Sequence, residues 1–201
     1  MTRIISGSRG GRRIATPAGR DTRPTSDRVR EALFSTLESL IELEGCRFAD
    51  LYAGSGAVGL EAASRGASAV LLVEADPRAA RIARDNISTL DLDQICRLSA
   101  ARVATALAHG PERPYHVVFA DPPYEVADGE VAGVLSAMVD KAWLTPEAVL
   151  VVERSTRSPE PIWPNGVRPE RGRRYGETTL WYGRSVVRSP VVRARDQGGV
   201  E

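Results

Sequence analysis

Two segments carry residues whose types and spacing could do chemistry. The first is Asp121-Pro122-Pro123-Tyr124, directly after the apolar run Val117-Val118-Phe119-Ala120. Two prolines fix the backbone and cannot both donate to a ladder, so the segment reads as a rigid loop ending a buried strand. Such a loop aims the Asp121 carboxylate and the Pro122 carbonyl in one direction. Together they are two acceptors for the two hydrogens of an exocyclic amino group. Tyr124 adds a flat ring on which a planar base can stack. An ordinary strand-ending turn would use the same residues, so the loop decides nothing alone.

The second segment is Asp50-Leu51-Tyr52-Ala53-Gly54-Ser55-Gly56-Ala57-Val58-Gly59. Gly54, Gly56 and Gly59 fit G-x-G-x-x-G, between a strand and a helix. Glu74 ends the next strand, where an acid can hold a pair of ribose hydroxyls. Asp50 puts a carboxylate beside the turn, which is unhelpful next to a pyrophosphate. It suits a ligand with an ammonium group, such as the methionine end of S-adenosylmethionine.

The elements that must position these segments read as follows. Arg3-Ile4-Ile5-Ser6 and Arg12-Arg13-Ile14-Ala15, separated by Gly7, Gly10 and Gly11, predict an arginine-bearing β-hairpin. Val29, Leu33, Leu37, Leu40 and Ile41 share one face of a helix over Asp27 to Glu42. Strands are expected at Phe48–Tyr52, Ala69–Val73, Ile95–Ser99, Val117–Ala120 and Val149–Val152. Helices are expected at Val58–Ser64, Arg78–Leu90, Val103–His109 and Glu130–Lys141. Short apolar strands alternating with helices predict an α/β fold with a mostly parallel, doubly wound sheet. Arg173–Arg184, broken by Gly176, reads as a closing hairpin or antiparallel edge strand. The division expected is a basic hairpin over 1–24, a main domain over 25–184 and a mobile tail over 185–201.

Composition narrows the class. The chain has 201 residues, 42% hydrophobic and 26% charged, which is ordinary for a globular domain. No apolar stretch could span a bilayer and no secretory signal is visible. Cys46 and Cys96 stand apart and His109 and His116 are the only histidines. A disulfide scaffold and a metal site are therefore not expected, and the cytoplasm is the default location. The formal net charge of +1 hides a strong segregation. Residues 1–30 hold eight arginines against Asp21 and Asp27, a net of +6. Residues 31–165 sum to −9 and residues 166–201 to +4. Lys141 is the only lysine, and arginine forks suit phosphates and guanine edges, which fits a nucleic-acid partner.

Asp121-Pro122-Pro123-Tyr124 with Asp50…Gly54-Ser55-Gly56 resembles the (D/N)PPY loop and glycine turn of class I S-adenosylmethionine-dependent amino methyltransferases. Arg3-Ile4-Ile5-Ser6-Gly7, Gly11-Arg12 and Arg23-Pro24-Thr25-Ser26-Asp27-Arg28-Val29-Arg30-Glu31-Ala32-Leu33-Phe34 are similar, more narrowly, to bacterial RsmD-type enzymes. Leu60-Glu61-Ala62, Ser64-Arg65-Gly66-Ala67 and Val73-Glu74 continue the likeness, which covers about residues 3–184. The resemblance implies a Rossmann-like class I methyltransferase that transfers methyl to guanine N2 in 16S ribosomal RNA, at guanine 966. The substrate would be an assembling or assembled small ribosomal subunit; the sequence does not give the oligomeric state, for which a monomer is the default. Catalysis would fall to Asp121, Pro122 and Tyr124. Cofactor contacts would come from Asp50, Tyr52, Ala53, Gly54, Ser55, Gly56, Glu74, Ala75, Arg102 and Thr25. Arg3, Arg9, Arg12, Arg13, Arg23, Arg28 and Arg30 would meet RNA. One position departs from the pattern: Arg102 stands where such enzymes carry an acid against the adenine amino group. Rival readings are an N6-adenine methyltransferase using the same loop, a non-catalytic RNA-binding module and an NAD-dependent oxidoreductase.

Overall fold

The computed structural model describes residues 2–17, 26–123 and 125–187. Thr25, Arg23, Tyr124 and most of the expected tail therefore lie outside the described residues. The chain opens with β1 (Thr2–Arg3), a 3-10 turn (Gly7–Arg9) and β2 (Arg13–Ile14). It continues through α1 (Asp27–Leu40), β3 (Arg47–Leu51), α2 (Ala57–Ser64), β4 (Ala69–Val73), α3 (Pro77–Thr89) and β5 (Cys96–Ser99). Next come α4 (Val103–Ala106), β6 (Tyr115–Ala120), α5 (Asp128–Asp140), β7 (Leu144–Ser155), β8 (Val167–Tyr175) and β9 (Thr178–Ser185).

Strands β3 to β9 form one seven-stranded sheet in the order β5-β4-β3-β6-β7-β9-β8. β5, β4, β3, β6 and β7 are parallel; β9 is antiparallel to both β7 and β8. The chain runs outward from β3 to β5, then returns to place β6 on the other side of β3. The connections that follow β3 and β6 therefore lead away in opposite directions, which is where open α/β sheets leave room for a ligand.

Strand alternation divides the core into two layers. Phe48, Leu72, Phe119, Val151, Leu180 and Tyr182 join α1, α2 and α3 on one face. Ala49, Leu51, Val118, Ala120, Leu150 and Val152 meet α4 and α5 on the other. The N-terminal hairpin shares the first layer, because Ile4 and Ile14 are fully buried in it. Its turn comes close to the end of α2. Gly7 has a left-handed backbone (φ 80°), and a Cβ there would collide with the Ser64 carbonyl.

Three elements differ from their expected extents by more than two residues. α4 stops at Ala106 rather than His109, since Gly110-Pro111 follows too closely for another turn. β7 spans Leu144–Ser155 instead of Val149–Val152: β6 pairs with its start at Tyr115↔Leu144, and β9 pairs with it as far as Ser155↔Thr178, carrying the polar Glu153 and Arg154 into the ladder. β8 begins at Val167, six residues before Arg173, for the same reason: β9 gives it a partner. Ser185, assigned to the tail from sequence, is the last residue of β9.

Candidate functional site

A cleft of about 960 Å³ lies across the carboxyl ends of β4, β3, β6 and β7. One end is made by the glycine turn and the acid ending β4. Tyr52 leaves β3 with a left-handed backbone (φ 64°), uncommon for a side chain of that size and located at the cleft wall. Gly54 then offers its N–H to Glu74 Oε2 at 2.7 Å, and Asp76 N–H meets Glu74 Oε1 at 2.7 Å. Glu74 thus ties the turn to the start of α3. Asp76 in turn caps that helix, accepting from the N–H groups of Arg78 and Ala79. Gly56 is the N-cap of α2 with φ 82°; it turns the chain into the helix behind the wall and does not line the cleft. Gly59 lies against Leu72, leaving no room for a Cβ, which lets α2 pack tightly on β4.

Asp50 is 1% exposed and borders the cleft from beneath the turn. Its Oδ2 accepts from Gly59 N–H at 2.8 Å. Burial pushes its pKa up to about 7; the Gly59 hydrogen bond opposes this and nearby Glu74 adds to it. Asp50, Glu74 and Asp76 make this end acidic. Ala53, Ser55, Ala75 and Arg102 complete it, with Arg102 exposed at the N-cap of α4.

The other end begins at Asp121, which follows β6 and lines the cleft with Pro122 and Pro123. The Asp121 N–H still reaches Leu51 O at 3.3 Å, so the loop leaves the sheet only after that residue. The segment beyond it is held by Arg154 on β7. One guanidinium nitrogen donates to Val126 O at 3.1 Å and to Asp128 Oδ1 at 2.9 Å. Glu153, Tyr175 and Thr178 close this end, and Ser26, Arg28 and Val29 at the start of α1 also line the cleft.

The model of the family described as conserved hypothetical protein 95 matches residues 2–184. The chain belongs to this family. Ribosomal RNA small subunit methyltransferase D of Escherichia coli strain K12 is 35% identical over 162 residues, 81% of this chain and 79% of that protein. The Haemophilus influenzae protein of the same name is 35% identical over 163 residues, 78% of this chain and 80% of that one. The solved structure of Escherichia coli yhhF superposes with a TM-score of 0.81 at 30% identity, covering 92% of this chain and 98% of that chain. An RNA methyltransferase from Salinibacter ruber, solved with S-adenosyl-L-homocysteine, shares the fold at 16% identity with a TM-score of 0.59, covering 84% and 97%. The expected kinship with RsmD-type enzymes and the class I methyltransferase architecture are both borne out.

In this family member the arginines proposed from sequence to meet RNA fall into three groups. Arg3, Arg12, Arg13 and Arg28 are exposed, and Arg28 lines the cleft. Arg9 and Arg12 hold the hairpin to the body: Arg9 Nε donates to Leu90 O at 2.6 Å, and Arg12 reaches Thr89 O and Asp91. Arg30 is the correction. It is 0% exposed and donates to Arg3 O at 2.6 Å and Asp27 Oδ1 at 3.0 Å, tying β1 to α1. A charge sealed this way cannot reach a phosphate. It lies one helical turn from Phe34, four residues on, which puts it on the buried face of α1.

Sequence reasoning also missed several residues. Buried Glu61 on α2 accepts from the N–H groups of Ile5 and Ser6 and from Arg65 Nε, fixing the hairpin from below. Asn86 on α3 joins hairpin to glycine turn: it exchanges two bonds with Ala15 and donates to Ser55 O at 2.9 Å. Glu153 had a readable signal. Glu74, Asp121 and Glu153 each follow directly on an apolar strand run, at the end where the cleft opens.

Proposed function

We propose that the protein transfers a methyl group from S-adenosylmethionine to the N2 amino group of a guanine in small-subunit ribosomal RNA, at guanine 966 or its equivalent. The observation that carries this is the Asp121-Pro122 pair of acceptors opening on a cleft whose far end is an acid-lined glycine turn. Kinship with proteins named ribosomal RNA small subunit methyltransferase D supports the RNA and the subunit. About 960 Å³ accommodates a nucleoside-sized ligand together with one extruded base.

The donor set fits that cofactor. In this reading Glu74 takes the ribose hydroxyls, Asp50 and the glycine turn take the amino-acid end, and Ala75 and Arg102 line the adenosine side. Bound there, S-adenosylmethionine supplies an electrophilic methyl on a cationic sulfonium. The three acids at this end favour a ligand of positive charge.

The guanine amino nitrogen is a poor nucleophile because its lone pair is delocalised into the ring. Asp121 and the Pro122 carbonyl accept its two hydrogens, favouring a pyramidal nitrogen with a localised lone pair. This stabilisation is aimed at charge that develops during the reaction, and holding the base in place lowers the barrier further. Asp121 is the group placed to take the proton that the alkylated nitrogen sheds. Tyr124 offers a stacking surface to a base that has left its own stack. Arg3, Arg12, Arg13 and Arg28, with Arg9 and Arg23, grip the phosphates around it.

The test is methyl transfer to small ribosomal subunits purified from a strain that lacks this modification, with the product nucleosides mapped by mass spectrometry. N2-methylguanine at one position is the expected product. N6-methyladenine, or no methylated nucleoside, would overturn the assignment.

A further inference from the structure

The Asp121-Pro122 acceptors recognise an amino group, and adenine and guanine both have one. Something else in the cleft must tell the two bases apart. β6 and β7 run in parallel with Phe119 opposite Val151 and Ala120 opposite Val152. The next residues in line are Asp121 and Glu153. Side chains alternate along a strand, so both fall on the side of Phe119 and Val151. Leu180, the partner of Glu153 on β9, is on that side too. Neighbouring strands are about 4.8 Å apart, so the carboxylates that follow two of them can converge on one edge of a base. Glu153 is 8% exposed and lines the cleft at the end away from the glycine turn.

We propose that the Glu153 carboxylate accepts the N1–H of the target guanine and so selects guanine over adenine in this site. This rests on the guanine assignment above. In guanine the ring atom next to the reacting amino group carries a hydrogen. In adenine the corresponding N1 is a lone pair, which a carboxylate repels. A carboxylate has acceptors only, so it reads the difference directly. A cleft built to pair with a ring N–H rejects analogues that lack it far more strongly than a purely apolar pocket would.

The experiment uses the full chain and small subunits reconstituted with 16S RNA carrying guanine, 2-aminopurine or 6-thioguanine at the target position. 2-Aminopurine keeps the 2-amino group but has a lone pair at N1. 6-Thioguanine keeps N1–H and changes only the 6-position. The wild-type protein should prefer guanine over 2-aminopurine by about 10,000-fold in kcat/KM and accept 6-thioguanine. Glu153→Gln, whose amide can donate to a bare N1, should lose rate on guanine and shrink the preference to within about 10-fold. A preference unchanged in Glu153→Gln, with melting temperature and S-adenosylmethionine affinity as in wild type, overturns the role. Should that variant not fold, a wild-type preference near one overturns it equally. No methylation of guanine N2 by the wild type would bring down the activity assignment as well; methylation with an unmoved preference brings down Glu153 alone.

Discussion

At the glycine-turn end of the cleft, the polar groups satisfy each other through the main chain. Glu74 takes the amides of Gly54 and Asp76, Asp50 takes that of Gly59, and Asp76 caps α3. At the Asp121 end the wall is assembled from side chains on separate strands: Asp121 after β6, Glu153 on β7, Tyr175 on β8 and Thr178 on β9. The first end is a pre-formed cradle whose shape is set by backbone. The second end is chemistry laid on a rigid sheet, where a single side chain can be exchanged without moving the frame. Substitutions should therefore separate cleanly into those that disturb the fold and the cofactor and those that disturb only the reaction.

The largest separation is expected for Asp121→Ala. It removes one of two acceptors for the amino group while leaving β6 and the glycine turn intact. Methyl transfer should fall by about 1,000-fold or more. S-adenosylmethionine affinity, measured by calorimetry, should stay within about twofold. Retained activity would remove Asp121 from the chemistry; lost affinity would mean the two ends are not independent.

Asp50→Asn probes the cradle. An aspartate that titrates at 3.8 when unfolded and at about 7 when folded is protonated preferentially in the native state between those values. Stability of the cofactor-free protein should then fall as pH rises from about 4 to about 7, and level off above. The ionised group costs about 4 kcal/mol at the plateau. Asparagine can still accept from Gly59 and has no charge to bury. Urea unfolding at pH 5 and pH 8 should show that slope in the wild type and its loss in the variant. At pH 8 the variant should be the more stable protein and the poorer binder of S-adenosylmethionine. An identical slope in both proteins would mean that Asp50 is ionised at little cost.

The same contrast explains what could be read in the sequence. The cradle is local: Asp50, the three glycines and Glu74 are fixed by one strand–turn–helix unit and the strand after it, so spacing alone displays them. Asp121-Pro122-Pro123-Tyr124 is likewise one contiguous segment. Glu153, Tyr175 and Thr178 meet only because β9 and β8 add antiparallel to β7, and a pairing register is not written in any single segment. Arg30 shows the opposite failure. Composition marks it as one of a basic cluster, yet helical phase and the approach of β1 bury it. Asn86 carries no motif at all; its importance comes from three bonds to residues 15 and 55, set by how α3 packs.

Asn86→Ala tests the seam between the hairpin and the cradle. The side chain is 2% exposed, and its loss strands the Ala15 and Ser55 groups it now serves. A cost of about 2 kcal/mol in unfolding free energy is expected. Cofactor affinity should weaken modestly because Ser55 belongs to the glycine turn. Thermal melts with and without S-adenosylmethionine measure both effects. A variant as stable as wild type would show that the hairpin is held by Glu61, Arg9 and Arg12 without help from α3.

The smallest effect is expected where the protein makes no use of the side chain itself. Arg13 is exposed and its side chain has no hydrogen bond or ion pair among the described residues, while its neighbour Arg12 is tied to Thr89 and Asp91. Reversing Arg12 therefore mixes two losses, a phosphate contact and a hairpin anchor. Arg13→Glu isolates the first. RNA affinity should drop by about 10-fold, and the dependence of log K on log salt should become shallower by about one. Melting temperature and S-adenosylmethionine affinity should not move. Unchanged RNA affinity would take this face of the hairpin out of RNA binding and leave the grip to Arg28 at the cleft mouth. The cradle end would be untouched by that result, because none of its bonds passes through Arg13.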